Sequence, residues 1–218
     1  MEIKVVRRIM EANEQHAEVV RQRLREAGVV ALNLISAPGS GKTSLIECAI
    51  RELKDEVGIG VIEGDPDTTR DAERIAQLDV PVVQINTEGG CHLEATMVLR
   101  ALDEIDLSGL DLLFIENVGN LVCPVVFDLG ETFRVAVVST AEGHDKPAKY
   151  PALFRSAQVT VLNKVDLIPY LDFNEGQFSA DVRRLNPAMP ILRVSCRTGE
   201  GMAEWVRWLR QVSHQGER

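Results

Sequence analysis

The sequence holds no C-x-x-C pair, no histidine-rich tract and no uncharged apolar run near the length of a membrane span. Crossing a bilayer takes about 20 consecutive apolar residues, so a transmembrane helix is excluded. Basic residues are in deficit: 24 Lys and Arg stand against 33 Asp and Glu, a formal net charge of -9. That balance excludes a general surface for nucleic acid or anionic lipid. Cys48, Cys91, Cys123 and Cys196 lie far apart, which does not fit a secreted disulfide framework. In a reducing compartment each is a core thiol, a catalyst or a metal ligand. Met1-Glu2-Ile3-Lys4 runs straight into a charged, periodic segment, so no secretory signal is expected and the cytoplasm is the expected location.

What remains is an ordinary globular composition, 45% apolar and 26% charged over 218 residues, enough for one α/β domain with a full core. Residues 1–28 lack proline and set Val6, Ile9, Asn13, Ala17, Val20 and Leu24 at spacings of three and four. This predicts one amphipathic helix, packed on its own domain and stopped at Gly28, with residues 29–218 forming the catalytic domain.

An apolar run over 29–35 feeds Ser36-Ala37-Pro38-Gly39-Ser40-Gly41-Lys42-Thr43-Ser44, and a helix-like run follows at 45–53. Strand, glycine-rich loop and helix make a phosphate cradle. Backbone N–H groups curl around phosphate oxygens at the helix start, Lys42 adds a point charge, and the Thr43 hydroxyl can ligate Mg²⁺. Ser36 stands where the usual pattern has its first glycine.

A second apolar run, 57–62, ends in Glu63-Gly64-Asp65-Pro66-Asp67, where the carboxyl ends of parallel strands form a ligand crevice. Asp65 or Asp67 is expected to bind Mg²⁺ or its waters, or to position a hydrolytic water; Asp71 reads as a helix N-cap. A third strand, 81–85, leads to Gly89-Gly90-Cys91-His92, whose thiolate and imidazole suit Zn²⁺ or Ni²⁺. The strand over 112–115 ends in Glu116, expected as a further Mg²⁺ determinant, and Gly119 is placed to give an N–H to a γ-phosphate. Four residues on comes Cys123. Cys91, His92 and Cys123 do not close a structural zinc tetrahedron within one chain, so their site either stays open or is completed by a second copy across a two-fold axis. Cys48, inside the helix after the cradle, reads as a core thiol.

After a strand over 133–138, the charged, proline-containing loop from Glu142 to Pro151 cannot lie inside a sheet and is placed to cover the nucleotide base or to meet a partner subunit, with His144 read as loop surface. Residues 159–162 deliver Asn163-Lys164-Val165-Asp166. The Asp166 carboxylate can accept from guanine N1 and N2, donors that adenine does not present there, which favours GTP over ATP. Ser195-Cys196-Arg197, after a last strand at 191–194, is placed to close the base pocket, and 199–209 is a closing helix. These elements predict an α/β phosphate-loop NTPase with a mostly parallel central sheet flanked by helices and an appended N-terminal helix. Lys42, Asp65 and Glu116 are the expected catalytic set. Gly39, Ser40, Gly41, Lys42, Thr43, Ser44, Gly119, Asn163, Lys164, Asp166 and Ser195 are expected to hold the nucleotide. Magnesium is assigned to Thr43, Asp65 and Glu116.

The combined pattern S-A-P-G-S-G-K-T, E-G-D, G-G-C-H, E-N-V-G-N-L-V-C-P, E-G-x-D-K-P-x-K-Y-P and N-K-V-D resembles the hydrogenase maturation nickel-insertion GTPases, over nearly the whole chain. The resemblance implies a GTP-dependent homodimer that helps load nickel into the large subunit of nickel-iron hydrogenase alongside other accessory proteins. It also implies that Cys91, His92 and Cys123 form a nickel or zinc site near the dimer interface. Some members carry an N-terminal cysteine motif or a His-rich tract; neither occurs here. A phosphate-loop kinase is a second reading, which Asn163 to Asp166 disfavours. No glutamine follows Gly119, so slow intrinsic turnover is expected.

Overall fold

The computed structural model describes the backbone of residues 2–216 and the side chains of residues 10–216. Val6 and Ile9 of the expected stripe therefore lie outside the described side chains. In chain order the elements are α1 (Glu2–Ala27), β1 (Val30–Ser36), α2 (Lys42–Leu53), β2 (Ile59–Asp65), α3 (Arg70–Ala76), β3 (Val82–Asn86), α4 (Ala95–Ala101), β4 (Leu112–Glu116), α5 (Cys123–Val126) and β5 (Phe133–Ser139). Then come α6 (Lys146–Lys149), α7 (Pro151–Ser156), β6 (Val159–Asn163), α8 (Glu175–Leu185), β7 (Ile191–Arg193) and α9 (Met202–Ser213).

The seven strands form one sheet in the order β3-β2-β4-β1-β5-β6-β7, every pairing parallel. Burial explains this. Strands β1, β4 and β6 are buried at every position, and near-continuous apolar runs of that kind need helices on both faces. Edge strands β3 and β7 are only partly covered. Because β1 sits at the centre, between β4 and β5, the loop after it opens where the chain crosses from one half of the sheet to the other. Ligands bind at such switch points in parallel α/β sheets.

One face is covered by α2 and α9, where Trp205 is fully buried, stacks on Trp208 at 5.5 Å and donates its indole N–H to Leu45 O at 3.4 Å. On the other face α1 packs against α4, with Val20 and Leu24 in one cluster with Val98, Ala101 and Leu102. Asn13, also on the buried side of α1, is polar for a reason: its Nδ2 donates to Asp128 O (2.8 Å) and its Oδ1 accepts from Ala95 N (2.9 Å). Ala95 opens α4, and its N-cap position, Glu94, supplies no side-chain bond. The cap thus comes from another helix.

Several boundaries differ from the sequence reading. The helix expected over 93–102 starts at Ala95, because residues before it turn to present Cys91 and His92. The closing helix begins at Met202, after Gly201 enters the left-handed region at φ 70°. Asp71 is not an N-cap: Thr69 holds that position and Asp71 lies within the first turn of α3. Nor is His144 bare loop surface, since its Nδ1 accepts from Asn174 N at 3.4 Å and its ring meets Phe173 edge-on. Helix α8 was not read from the sequence; it is capped by Asn174, whose Oδ1 accepts from Gln177 N at 2.9 Å, and it buries Phe178 and Val182.

Replacing Asn13 by leucine strands a buried donor and acceptor. Each orphaned group costs about 1–3 kcal/mol, so Asn13→Leu is expected to lower the urea midpoint markedly, by equilibrium unfolding, with an unchanged slope.

Candidate functional site

Strand β1 ends at Ser36, and the chain turns through Gly39 (φ 73°) and Gly41 (φ 98°) into α2. Gly41 caps the helix without a side chain, and the first turn carries no acid, so nothing there opposes an anion at the helix's free N–H groups. Space also demands glycine here: a Cβ on Gly41 would stand 2.4 Å from Asn163 Nδ2, which donates to Ser40 O at 2.9 Å. Ser36 has a use too. Its buried hydroxyl accepts from Lys42 Nζ at 3.2 Å, holding the ammonium beside the cradle. The Ser40 hydroxyl lies 2.7 Å from Ala37 O and 2.6 Å from Glu142 Oε1. Glu142 was missed by the sequence reading; the S-x-x-E spacing of Ser139 and Glu142, a capping box, was the available signal.

Acids gather on the opposite rim. Thr43 Oγ1 donates to Glu116 Oε1 at 2.9 Å, and Lys42 Nζ stands 3.7 Å from the same oxygen. Glu63 pairs in register with Glu116 across β2 and β4. Both side chains are buried, and Oε2 of each has no hydrogen-bond partner. Burial pushes the Glu116 carboxyl up, against Lys42 and Thr43. Burial, with Glu116, Asp65 and Asp71 adding, raises Glu63 to about 8. Oxygens of Glu63, Asp65 and Asp71 lie within 4.8 Å of one another. Repelling carboxylates with orphaned oxygens are a donor set that fits a divalent cation. Of the three residues assigned to magnesium, Thr43 and Glu116 touch, while Asp65 belongs to the neighbouring group across one cavity of about 250 Å³. Asp65 Oδ1 is held by Asp67 N and Thr68 N at 2.8 and 2.5 Å. Glu63 and Asp71 were missed as site residues, although Glu63 and Asp65 are two apart in a strand and so share a face. Gly119 closes this cavity: its Cα runs so near the cradle that a Cβ would fall 2.9 Å from Pro38 Cα.

A second cavity, about 380 Å³, lies on the far side of the cradle, and Asn163, Lys164, Asp166, Ser195 and Cys196 line it together with Ser44. Asp166 Oδ1 accepts from Ser195 Oγ at 2.6 Å, which orients the carboxylate. Lys164, left-handed at φ 60°, donates its Nζ to Gly39 O at 2.7 Å, while its carbonyl accepts from Thr140 Oγ1 at 2.6 Å. The cradle and the base segment therefore brace each other. Cys48 is not a core thiol: it is half-buried and lines this cavity.

Ligand atoms of Cys91, His92 and Cys123 come within 4.8 Å of one another, with Cys91 Sγ 3.5 Å from His92 Nδ1. His92 stacks on Phe127 at 4.0 Å, and its buried Nε2 has no hydrogen-bond partner. Burial lowers its pKa, against Glu94, which favours the neutral ring, in which one nitrogen carries a lone pair for a metal. This cluster is keyed to the nucleotide loops by backbone: Thr87 N donates to Asp65 O (3.0 Å) and Gly89 N to Pro66 O (3.2 Å). Asn120, next to Gly119, donates its Nδ2 to Cys91 O at 3.3 Å.

A family model described as CobW/HypB/UreG, nucleotide-binding domain, matches residues 30–193. The chain is 50% identical over 207 residues to the hydrogenase maturation factor HypB of Rhizobium leguminosarum bv. viciae, covering 95% of this chain and 69% of that one. The chain belongs to the HypB family of hydrogenase maturation factors. Its likeness to the HypB of Escherichia coli K12 is 48% over 201 residues, or 92% and 69% of the two chains. Two crystal structures share the fold: HypB from Archaeoglobus fulgidus (TM-score 0.87, 42% identity, 93% and 99% coverage) and HypB from Helicobacter pylori in complex with nickel (TM-score 0.89, 35% identity, 94% and 96%). HypB membership makes the chain a phosphate-loop NTPase of hydrogenase maturation. Among the described residues no helix is long and apolar enough to cross a membrane.

The raised Glu63 carboxyl has a pH signature. Unfolded, it ionises near its ordinary value of about 4.3, whereas the native side chain keeps its proton up to about 8. Between those values the native state binds more protons, so its contribution to stability falls as pH rises and levels off above the native pKa. In nucleotide-free protein with EDTA, Glu63→Gln is expected to gain stability over the parent at about pH 8.5 relative to about pH 5.5, read from urea midpoints.

Proposed function

We propose that the chain is a GTP-hydrolysing metallochaperone that delivers or regulates nickel during maturation of nickel-iron hydrogenase, with its nucleotide state coupled to the Cys91, His92 and Cys123 site. The observation that carries the coupling is the segment from Glu116 to Cys123. It begins at the buried carboxylate bonded to Thr43, passes Gly119 against the cradle, touches Cys91 O through Asn120, and ends on a metal ligand.

In this reading Gly39 to Ser44 hold the phosphates, Lys42 draws charge off them, and Asn163, Lys164, Asp166 and Ser195 select guanine. Thr43, Glu116 and Asp65, with Glu63 and Asp71 beside them, would hold Mg²⁺, which when bound neutralises charge on the phosphate oxygens. Asp65 is the candidate for orienting water. A bound γ-phosphate draws on the N–H of Gly119; its loss frees the turn, and Cys123 moves relative to Cys91 and His92. Nickel, with which the Helicobacter pylori HypB was crystallised in complex, is the cargo proposed here, with zinc as a competitor suited to the same ligands.

Three ligands leave room for a fourth from a partner. Val122 and Val126 flank Cys123 and are 57% and 55% exposed, which supports a homodimer meeting at this face. The hydrogenase large subunit and other accessory proteins are the proposed further partners, in the cytoplasm, with residues 1–28 appended to a catalytic domain of 29–218.

Nickel and zinc affinities measured with GDP and with a non-hydrolysable GTP analogue are expected to differ; equal values in both states, with an unchanged oligomer, reject the coupling. Cys123→Ala is expected to weaken metal binding by about tenfold or more while GDP affinity stays close to the parent. Asp166→Asn replaces an acceptor by a donor, so competition assays are expected to show guanine nucleotides losing to xanthine nucleotides.

A further inference from the structure

Two cysteines stand apart from the metal cluster, and both line the cavity assigned to guanine. Cys48 lies on α2 one turn after Ser44 and one turn before Arg51, and these three residues line the cavity together. Cys196 follows Ser195, whose hydroxyl orients Asp166. Both thiols are free and half-buried, open to reagents that enter the pocket. The Cys196 S–H donates to Asn163 Oδ1 at 3.7 Å, and its sulfur is an electrostatic neighbour of the Cys48 sulfur on the wall of the same cavity. That contact draws the Cys48 thiol down to about 7, against burial and with help from Arg51, and it pushes Cys196 up. The thiol that ionises more readily thus shares the cavity with one that keeps its proton, the pairing of an attacking with a resolving cysteine.

We propose that Cys48 and Cys196 form a thiol oxidation site, at which a hydroperoxide converts the pair to a disulfide and so closes the base pocket. The closure rests on the guanine-pocket reading above; the thiol chemistry does not. The Cys48 thiolate attacks the peroxide oxygen, giving a sulfenic acid while the alkoxide leaves and takes up a proton. The Cys196 sulfur then attacks the sulfenic sulfur, its S–H proton leaving with the hydroxide as water. Two thiols and one hydroperoxide become one disulfide, one alcohol and one water, with two electrons passing from sulfur to oxygen.

The consequence follows from the neighbours. Once bridged, Cys196 has no S–H for Asn163 and is drawn toward α2. Ser195 is carried along, away from the carboxylate it orients. Asn163 and Asp166 both lose part of the geometry that holds the base.

The full chain is treated with hydrogen peroxide in a Cys91→Ser, Cys123→Ser background, so that the metal-site thiols contribute nothing. Peptide mapping is expected to find Cys48 linked to Cys196. The GDP dissociation constant is expected to rise about tenfold, and dithiothreitol is expected to restore it. With Cys48→Ser added, the ratio of oxidised to reduced affinity is expected to fall to about one. Absence of the linked peptide overturns the proposal, as does a linked chain that binds GDP like the reduced one, or a Cys48→Ser variant that keeps the oxidant response. A reduced chain without GDP affinity overturns the guanine reading and the gate with it, while a linked peptide in that chain still establishes the thiol pair.

Discussion

Glu63 and Glu116 stand side by side at the ends of two hydrogen-bonded strands, both buried, and one ammonium serves the pair at 3.7 Å from Glu116. Burial and this closeness push both carboxyls toward their protonated forms, and each keeps an oxygen with no partner. The sheet fixes this arrangement, because parallel register puts the two residues level and neither strand can slip without moving its apolar positions to the wrong place. Everything on that rim answers to the conflict. Lys42 is held over it by Ser36, Thr43 donates into it, and Asp65 and Asp71 complete a cluster that asks for a cation.

In the proposed function this conflict is what would make the site a sensor: carboxylates satisfied only with phosphate and cation in place have two distinct states. The route outward in that proposal is the set of hydrogen bonds from Thr87 and Gly89 to Asp65 and Pro66, and from Asn120 to Cys91. These links use main-chain atoms at their receiving ends, so they depend on loop shape more than on particular side chains.

Much of this could be read from residues alone, for physical reasons. Strands buried on both faces are continuous apolar runs, so β1, β4, β5 and β6 were found nearly to the residue. The phosphate loop and Asn163 to Asp166 are local in sequence and needed no tertiary knowledge. Cys91, His92 and Cys123 were suggested by ligand chemistry, and the fold brings them together. What stayed hidden depends on register and facing. Glu63 acquires its environment from Glu116 on the next strand, and Asp71 from a helix that begins two residues earlier than a cap would require. Cys48 was read as core because its helix is apolar, but the turn spacing from Ser44 to Cys48 to Arg51 puts it on the pocket face. Helix α8 went unread because its apolar residues are few and its cap, Asn174, lies in a loop.

The cap that Asn13 gives to α4 reaches further than helix stability. Ala95, whose N–H it receives, is three residues beyond His92, so the first helix anchors the end of the loop that presents two of the three soft ligands. A loop pinned at that end gives up less conformational freedom when an ion arrives, and binding keeps more of its free energy as affinity. In the proposed metal site the N-terminal helix would be a part that never touches the ion: it supplies rigidity in advance, and a chain shortened at that end would lose more loop entropy with each ion bound.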